Sequence, residues 1–266
     1  MKRIAIGLCY DGSAFEGWQS QASRNTVQDH LEAALSAVAA EPVRVQAAGR
    51  TDAGVHAAAQ VVHFDVNVER PDSAWVRGTN ANLPGGIAVQ WACEVDEGFN
   101  ARFSATGRSY TYVLYDQPVR PALYAKQVGW FHLPLDVEAM QRAAALLVGQ
   151  RDFTTFRSAE CQAKHPVRTM DYAEVERRGP YVLFRFGANG FLHHMVRNLV
   201  GSLVYVGKGA HPPEWISELL EARDRAQAAP TFSPTGLYLS GVRYPDTWQL
   251  PGFVPMIPFV SFDDIR

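Results

Sequence analysis

Cysteine is scarce. Cys9, Cys93 and Cys161 are an odd number at wide spacing with no C-x-x-C pair, which argues against a disulfide framework or a thiolate zinc site and fits a reducing, cytoplasmic compartment. Long hydrophobic runs are also missing. No stretch approaches the roughly 20 apolar residues that cross a bilayer, and Met1-Lys2-Arg3-Ile4 leads straight into strand-like alternation rather than a targeting segment, so no membrane partner is expected. Charge leans neither way: 25 Lys plus Arg face 27 Asp plus Glu, a formal net charge of -2, and any nucleic-acid footprint must be regional. The chain has no G-x-x-x-x-G-K-[ST] phosphate loop, no strand-linked G-x-G-x-x-G and no G-x-S-x-G elbow, so nucleotide hydrolysis and acyl transfer lose support. His56, His63, His193 and His194 come without an H-E-x-x-H pattern or matching carboxylate spacing, and no metal is expected.

What is there is an average globular composition, 47% hydrophobic and 20% charged, on a chain long enough for one large domain or two packed halves. Ile4, Ile6, Leu8 and Tyr10 alternate with smaller or polar residues, the two-residue period of a half-buried strand. Thr26 with Asp29 opens a helix whose apolar positions Val27, Leu31, Leu35 and Val38 share one face. Strands at 43–47 and 60–65, a weaker helix at 72–82 and a strand at 87–95 follow. The second half repeats the pattern: a strand at 108–115, a helix from Asp136 with Val137, Met140, Ala144 and Leu147 on one stripe, and a hairpin of 168–176 with 181–186 around Arg178-Gly179-Pro180. A helix from Phe191, an extra helix at 213–222 and a last strand near 237–244 complete it. The expected fold class is therefore α+β, two pseudo-symmetric split βαβ (ferredoxin-like) halves with antiparallel sheets flanked by helices and a cleft between them. The halves are drawn at 1–104 and 105–245. Pro245, Pro251, Pro255 and Pro258 mark 246–266 as an extended tail that could lie on another subunit.

Chemistry concentrates in Ala48-Gly49-Arg50-Thr51-Asp52-Ala53-Gly54-Val55-His56-Ala57, a polar cluster between two strands. Gly49, Ala53 and Gly54 leave room for a flat base or ribose beside Asp52, and Arg50 could favour the ionised carboxylate or hold a phosphate or displaced base. An aspartate in a glycine-containing loop more commonly serves to stabilise a turn. Asn100 to Lys126 carries Arg102, Arg108, Arg120 and Lys126 against Asp116 alone, with Phe99, Phe103, Tyr110, Tyr112 and Tyr115 interleaved or adjacent. Cations for phosphates beside rings for splayed bases suit single-stranded or looped RNA, although a tyrosine-rich sheet with a solvated edge has the same composition.

The Asp52 string resembles the signature of the tRNA pseudouridine synthase A family. The resemblance extends to Tyr10-Asp11-Gly12, Phe15-Glu16-Gly17-Trp18-Gln19, Val27-Gln28 and Gln60-Val61-Val62-His63-Phe64. It resumes at Phe99-Asn100-Ala101-Arg102-Phe103-Ser104-Ala105-Thr106, Cys161-Gln162-Ala163, Phe191-Leu192-His193-His194-Met195-Val196-Arg197-Asn198 and Gly236-Leu237-Tyr238-Leu239. It therefore runs nearly end to end, to about Tyr244. It implies isomerisation of uridine to pseudouridine at positions 38, 39 and 40 in the anticodon stem-loop of tRNA, by a homodimer using no cofactor, with one subunit supporting the tRNA body and the other presenting the active site.

The same resemblance assigns roles. Asp52 is the indispensable carboxylate and Arg197 its cationic partner, with His193 and Gly201 placed four residues to either side on one helix face. Tyr110 packs against the target base, and Leu237 or Leu239 closes the pocket beneath it. Arg50 and the Phe99 to Phe103 segment complete the substrate contacts. A carboxylate could attack ribose C1′, add to uracil C6 or remove the C2′ proton, and the sequence separates none of these routes. A non-catalytic tRNA-binding or tRNA-folding protein and a hydrolytic N-glycosylase are the rival functions.

Overall fold

The computed structural model describes residues 1–252 and 255–260. The chain forms two compact units. The first is Met1–Thr106 together with the chain from Tyr238 onward, and the second is Gly107–Leu237. Each has an α+β build.

In the first unit β1 (Lys2–Tyr10) lies between β4 (Ile87–Val95) and β3 (His56–Val66), antiparallel to both. The short β2 (Gln46–Ala47) pairs antiparallel with β3. The order β4-β1-β3-β2 is that of a split βαβ unit. Helix α1 (Val27–Ala39) starts as its capping box requires: the Thr26 side chain accepts the Asp29 N–H at 3.2 Å and donates to the Asp29 carboxylate at 2.6 Å. Val27, Leu31 and Leu35 are buried along it. Helix α2 (Asp72–Asn82) sets Trp75 edge-on against Phe64 at 5.3 Å.

The strand expected at 43–47 shrinks to two residues for a definite reason. The Val43 and Val45 N–H groups donate to the Ser36 hydroxyl and the Glu32 carboxylate of α1, so this backbone finds its partners on a helix instead of in a ladder. Conversely, β3 starts at His56, earlier than expected, because Ala57 pairs with Tyr10 and with Leu239, and Ala58 and Ala59 continue the strand despite weak strand propensity. β10 (Leu237–Arg243) enters the first unit at Tyr238, pairing parallel with β3 through Tyr238 with His56 and Leu239 with Ala57. After it, Trp248 and Leu250 pack on this unit's own cluster of Ala5, Ala48, Val61, Phe99 and Ala101. The remainder of the expected tail falls partly outside the described residues.

The second unit carries the order β5-β9-β8-β7, all antiparallel neighbours: β5 (Gly107–Asp116), β9 (Tyr181–Ala188), β8 (Val167–Arg178) and β7 (Gly149–Asp152), with β6 (Gly129–Phe131) parallel to β5. β6 and β7 were not expected. The first is three residues long, and the second, Gly-Gln-Arg-Asp, is a polar edge strand with no apolar alternation to reveal it. Helices α3 (Val137–Ala145), α4 (Met195–Gly207) and α5 (Trp215–Ala222) complete the unit. Its core joins Tyr112, Leu183, Phe184 and Phe186 of the sheet with Met140, Ala143, Leu199 and Leu203 of the helices, all fully buried. Among the described residues, no helix is long and apolar enough to cross a membrane.

Candidate active site

Asp52 sits in a tight connection between β2 and β3. The Val55 N–H donates to the Asp52 carbonyl at 3.1 Å, closing a turn in which Gly54 takes φ +79°, a conformation that an L side chain adopts only at a cost. The loop is moulded on two other glycines. A Cβ on Gly12 would overlap the Val55 carbonyl, and one on Gly17, itself at φ +85°, would stand 2.8 Å from the Thr51 carbonyl and 3.0 Å from Asp52. Within the loop Thr51 is buried, Asp52 half-buried, and Arg50 and Ala53 exposed. The loop is therefore anchored at Thr51 and exposed at Arg50 and Ala53, with Asp52 between the two.

Three residues from β1 and β3 hold this loop. The buried Gln60 amide grips Gly49 at both polar groups, donating to its carbonyl at 2.7 Å and accepting from its N–H at 3.3 Å. Tyr10 and Thr51 share a buried hydroxyl contact of 2.8 Å. His56, fully buried, has the Gly12 N–H at 3.0 Å and an Asp11 carboxylate oxygen at 3.1 Å from Nδ1, and it stacks on Tyr238 at 4.7 Å.

The 99–103 segment divides into anchors and projections. Arg3 chelates Asp65 at 2.7 and 2.8 Å and also donates to the Phe99 and Glu97 carbonyls. Its hydrogen bond holds the Asp65 carboxyl below the usual range. Ala101 is tied twice, its N–H to His63 Nδ1 at 3.1 Å and its carbonyl to the Tyr244 hydroxyl at 2.6 Å. The Asn100 side-chain oxygen accepts the Arg102 and Phe103 N–H groups at 3.0 and 3.1 Å, the asparagine turn that makes the chain jut outward. Phe99 and Ala101 are thus core residues, with Phe99 edge-on to Trp248 at 5.2 Å. Arg102 and Phe103 project, guanidinium over ring at 5.4 Å, with Phe103 77% exposed.

Tyr110, Arg197 and Leu237 belong to the second unit. Tyr110 stands half-buried on β5 opposite Phe186, its ring edge-on to Phe191 at 5.0 Å. Arg197 lies on the first turn of α4, which begins at Met195 rather than at Phe191, because His194 turns left-handed (φ +60°) ahead of it. His193 therefore precedes the helix and does not share a face with Arg197. Gly201 offers no open space, since the Pro230 carbonyl already stands 2.5 Å from where its Cβ would be. Arg197 Nε donates to the Phe232 carbonyl at 2.8 Å. Beside it the buried Asn198 donates to the Phe156 carbonyl at 2.8 Å and accepts from Thr231 at 2.7 Å and Arg225 at 3.0 Å. Burial holds Arg225 below the ordinary arginine range. Leu237 is buried at the start of β10. The Phe232 carbonyl is a backbone group, and no residue-type signal could have marked it.

Other nucleophiles fit poorly. Cys9, Cys93 and Cys161 carry free thiols, and burial pushes Cys9 upward and Cys93 to about 11, away from the thiolate form. In the first unit His56 and His63 each have a backbone N–H at Nδ1, so both rings serve the fold.

Residues 9–104 and 143–245 match the model of a protein family described as tRNA pseudouridine synthase. The tRNA pseudouridine synthase A of Aromatoleum aromaticum is 60% identical over 263 residues, covering 97% of this chain and 100% of that protein. The proteins of the same name from Methylobacillus flagellatus and Dechloromonas aromatica are 60% and 59% identical, each over 94% of this chain, with 96% and 95% of their own lengths covered.

Proposed function

Since the chain belongs to the tRNA pseudouridine synthase family, and is thus an isomerase, we propose that it converts uridine to pseudouridine at positions 38, 39 and 40 of the tRNA anticodon stem-loop, with Asp52 as the essential carboxylate. The observation that carries this reading is the Asp52 loop itself. Its half-buried carboxylate sits on a turn fixed from three sides, with the exposed Arg50 and Ala53 as neighbours.

The chemistry sets what each residue must do. The C1′–N1 bond breaks, the uracil turns, a C1′–C5 bond forms, C5 gives up its proton and N1 gains one. Atoms and oxidation state balance within the substrate, so the reaction consumes no cofactor. Asp52 acts as a carboxylate on the ribose or the base, with Arg197 as its cationic partner. The target uridine leaves the stem, because stacked bases hide C1′ and N1 from any side chain, and its base packs against Tyr110 with Leu237 beneath. Arg50 holds a phosphate or the turned base. Arg102 and Phe103 offer a cation and a ring to the RNA, while Phe99, Asn100 and Ala101 set the segment that presents them. A homodimer working in the cytoplasm completes the proposal.

The decisive measurement is tritium release from unmodified tRNA labelled with [5-³H]uridine, with no added metal or nucleotide, for the wild type and Asp52→Asn. Release with the base retained, lost in the variant while tRNA still binds, is expected. Free uracil in the supernatant would identify a hydrolytic glycosylase instead. Tight binding without release from several tRNAs would identify a non-catalytic binder.

A further inference from the structure

Two polar side chains from the strands flanking the Asp52 loop are buried against it and take no part in the reaction just described. Tyr10 is 4% exposed and Gln60 fully buried. Between them they fix the residues immediately before Asp52: Gln60 holds the Gly49 N–H and carbonyl, and the Tyr10 hydroxyl meets the Thr51 hydroxyl at 2.8 Å. The Trp18 N–H adds a bond to the Thr51 carbonyl at 3.0 Å. We propose that Tyr10 and Gln60 are positioning residues for catalysis, a hydroxyl and an amide that set the direction of the Asp52 carboxylate by clamping Gly49 and Thr51. This inference rests on the reading of Asp52 as the reacting group.

Stability alone gives little reason for this arrangement. A buried pair of hydroxyls must be stripped of water, and the bond they form returns a net gain of only about 1 kcal/mol. Phenylalanine and valine would fill the same volumes without that cost. What the hydroxyls add is direction, because a hydrogen bond fixes the Thr51 side chain where apolar contact would let it shift. A displacement of about 1 Å at a reacting group is enough to cost on the order of a hundredfold in rate. Burial also pushes the Tyr10 phenol up to about 12, so it keeps its proton across the neutral range and the clamp does not change with pH.

The test compares Tyr10→Phe, Thr51→Val, Thr51→Ser and the double variant Tyr10→Phe/Thr51→Val in the tritium-release assay, with thermal melts on the same preparations. Each of the first two variants is expected to lose about tenfold or more in kcat, with KM for tRNA within about twofold of wild type. Thr51→Ser keeps the hydroxyl and should stay near wild type. The double variant should be no slower than the slower single one, because the second change removes a partner already lost. Unchanged kcat per folded molecule in Tyr10→Phe and Thr51→Val, with only a lowered Tm, would reduce the pair to fold stability and overturn the proposal. Fully additive rate losses would overturn it too. Should Tyr10→Phe fail to fold, the contrast between Thr51→Ser and Thr51→Val decides. Asp52→Asn, run alongside, separates the two levels of inference: a dead Asp52→Asn with fully active clamp variants rejects the clamp alone, whereas an active Asp52→Asn rejects both.

Discussion

Arg197 and Phe232 hold each other by their backbones and by one side-chain bond: Arg197 Nε donates to the Phe232 carbonyl at 2.8 Å, and the Phe232 N–H donates to the Arg197 carbonyl at 3.3 Å. The guanidinium is therefore anchored at its Nε, and its planar fork is held as a unit. Lysine has no donor at the ε-nitrogen position of arginine and no planar fork. Arg197→Lys is expected to keep the charge and the fold but lose on the order of a hundredfold in kcat. Activity above a third of wild type in that variant would show that charge alone suffices.

The neighbouring Asn198 supports the strap that carries Phe232. Asn198→Ala takes the side-chain donor from the Phe156 carbonyl and one partner each from the Thr231 hydroxyl and the Arg225 guanidinium, which still bond to each other. A destabilisation of about 2–4 kcal/mol follows, read as a Tm lower by roughly 5–10 °C. A Tm within a degree of wild type would mean that these groups find other partners.

His63 makes the 99–103 segment sensitive to acid. Its Nδ1 accepts the Ala101 N–H, and burial, with Arg3 nearby, lowers its pKa below the ordinary 6.5. The folded state thus favours the neutral ring. Its contribution is fully present above about 6.5 and is lost as the pH falls through the lowered folded value. Thermal melts between pH 7.5 and about 5 should show a steeper acid loss in wild type than in His63→Gln. Parallel curves would exclude His63 as a source of the slope.

Arg102 and Phe103 project, and their removal should leave stability untouched. Arg102→Ala is expected to weaken tRNA binding and lower the salt slope by about one. Phe103→Ala should cost about 1–3 kcal/mol of affinity through lost stacking. Binding isotherms at several salt concentrations measure both, and unchanged affinity in either variant would remove that residue from the RNA footprint.

Much of this was readable before any coordinates, and the exceptions have physical causes. The α1 cap was legible because Thr26 and Asp29 act locally, at fixed spacing. β4 and α2 matched to the residue, since their patterns are bounded by turns. The start of α4 was not legible: the apolar stripe runs back to Leu192, but a left-handed His194 interrupts the helix, and no propensity marks that kink. The Asp52 motif stood out as a polar cluster between apolar strands, whereas the importance of Gln60 depends on what lies across the sheet from it. Phe99 and Ala101 shared a motif with Arg102 and Phe103, and only the fold separates the two that are buried from the two that project.

The return of the chain to β3 at Tyr238 has a consequence for biosynthesis. The Asp52 loop is made early, yet the ring stacked on its His56 neighbour is made only after the whole of the second unit. Gly107–Leu237 is made in full before the strand that pairs with His56 and Ala57. The surroundings of the carboxylate loop are therefore assembled from two stretches of chain that are synthesised on either side of the second unit.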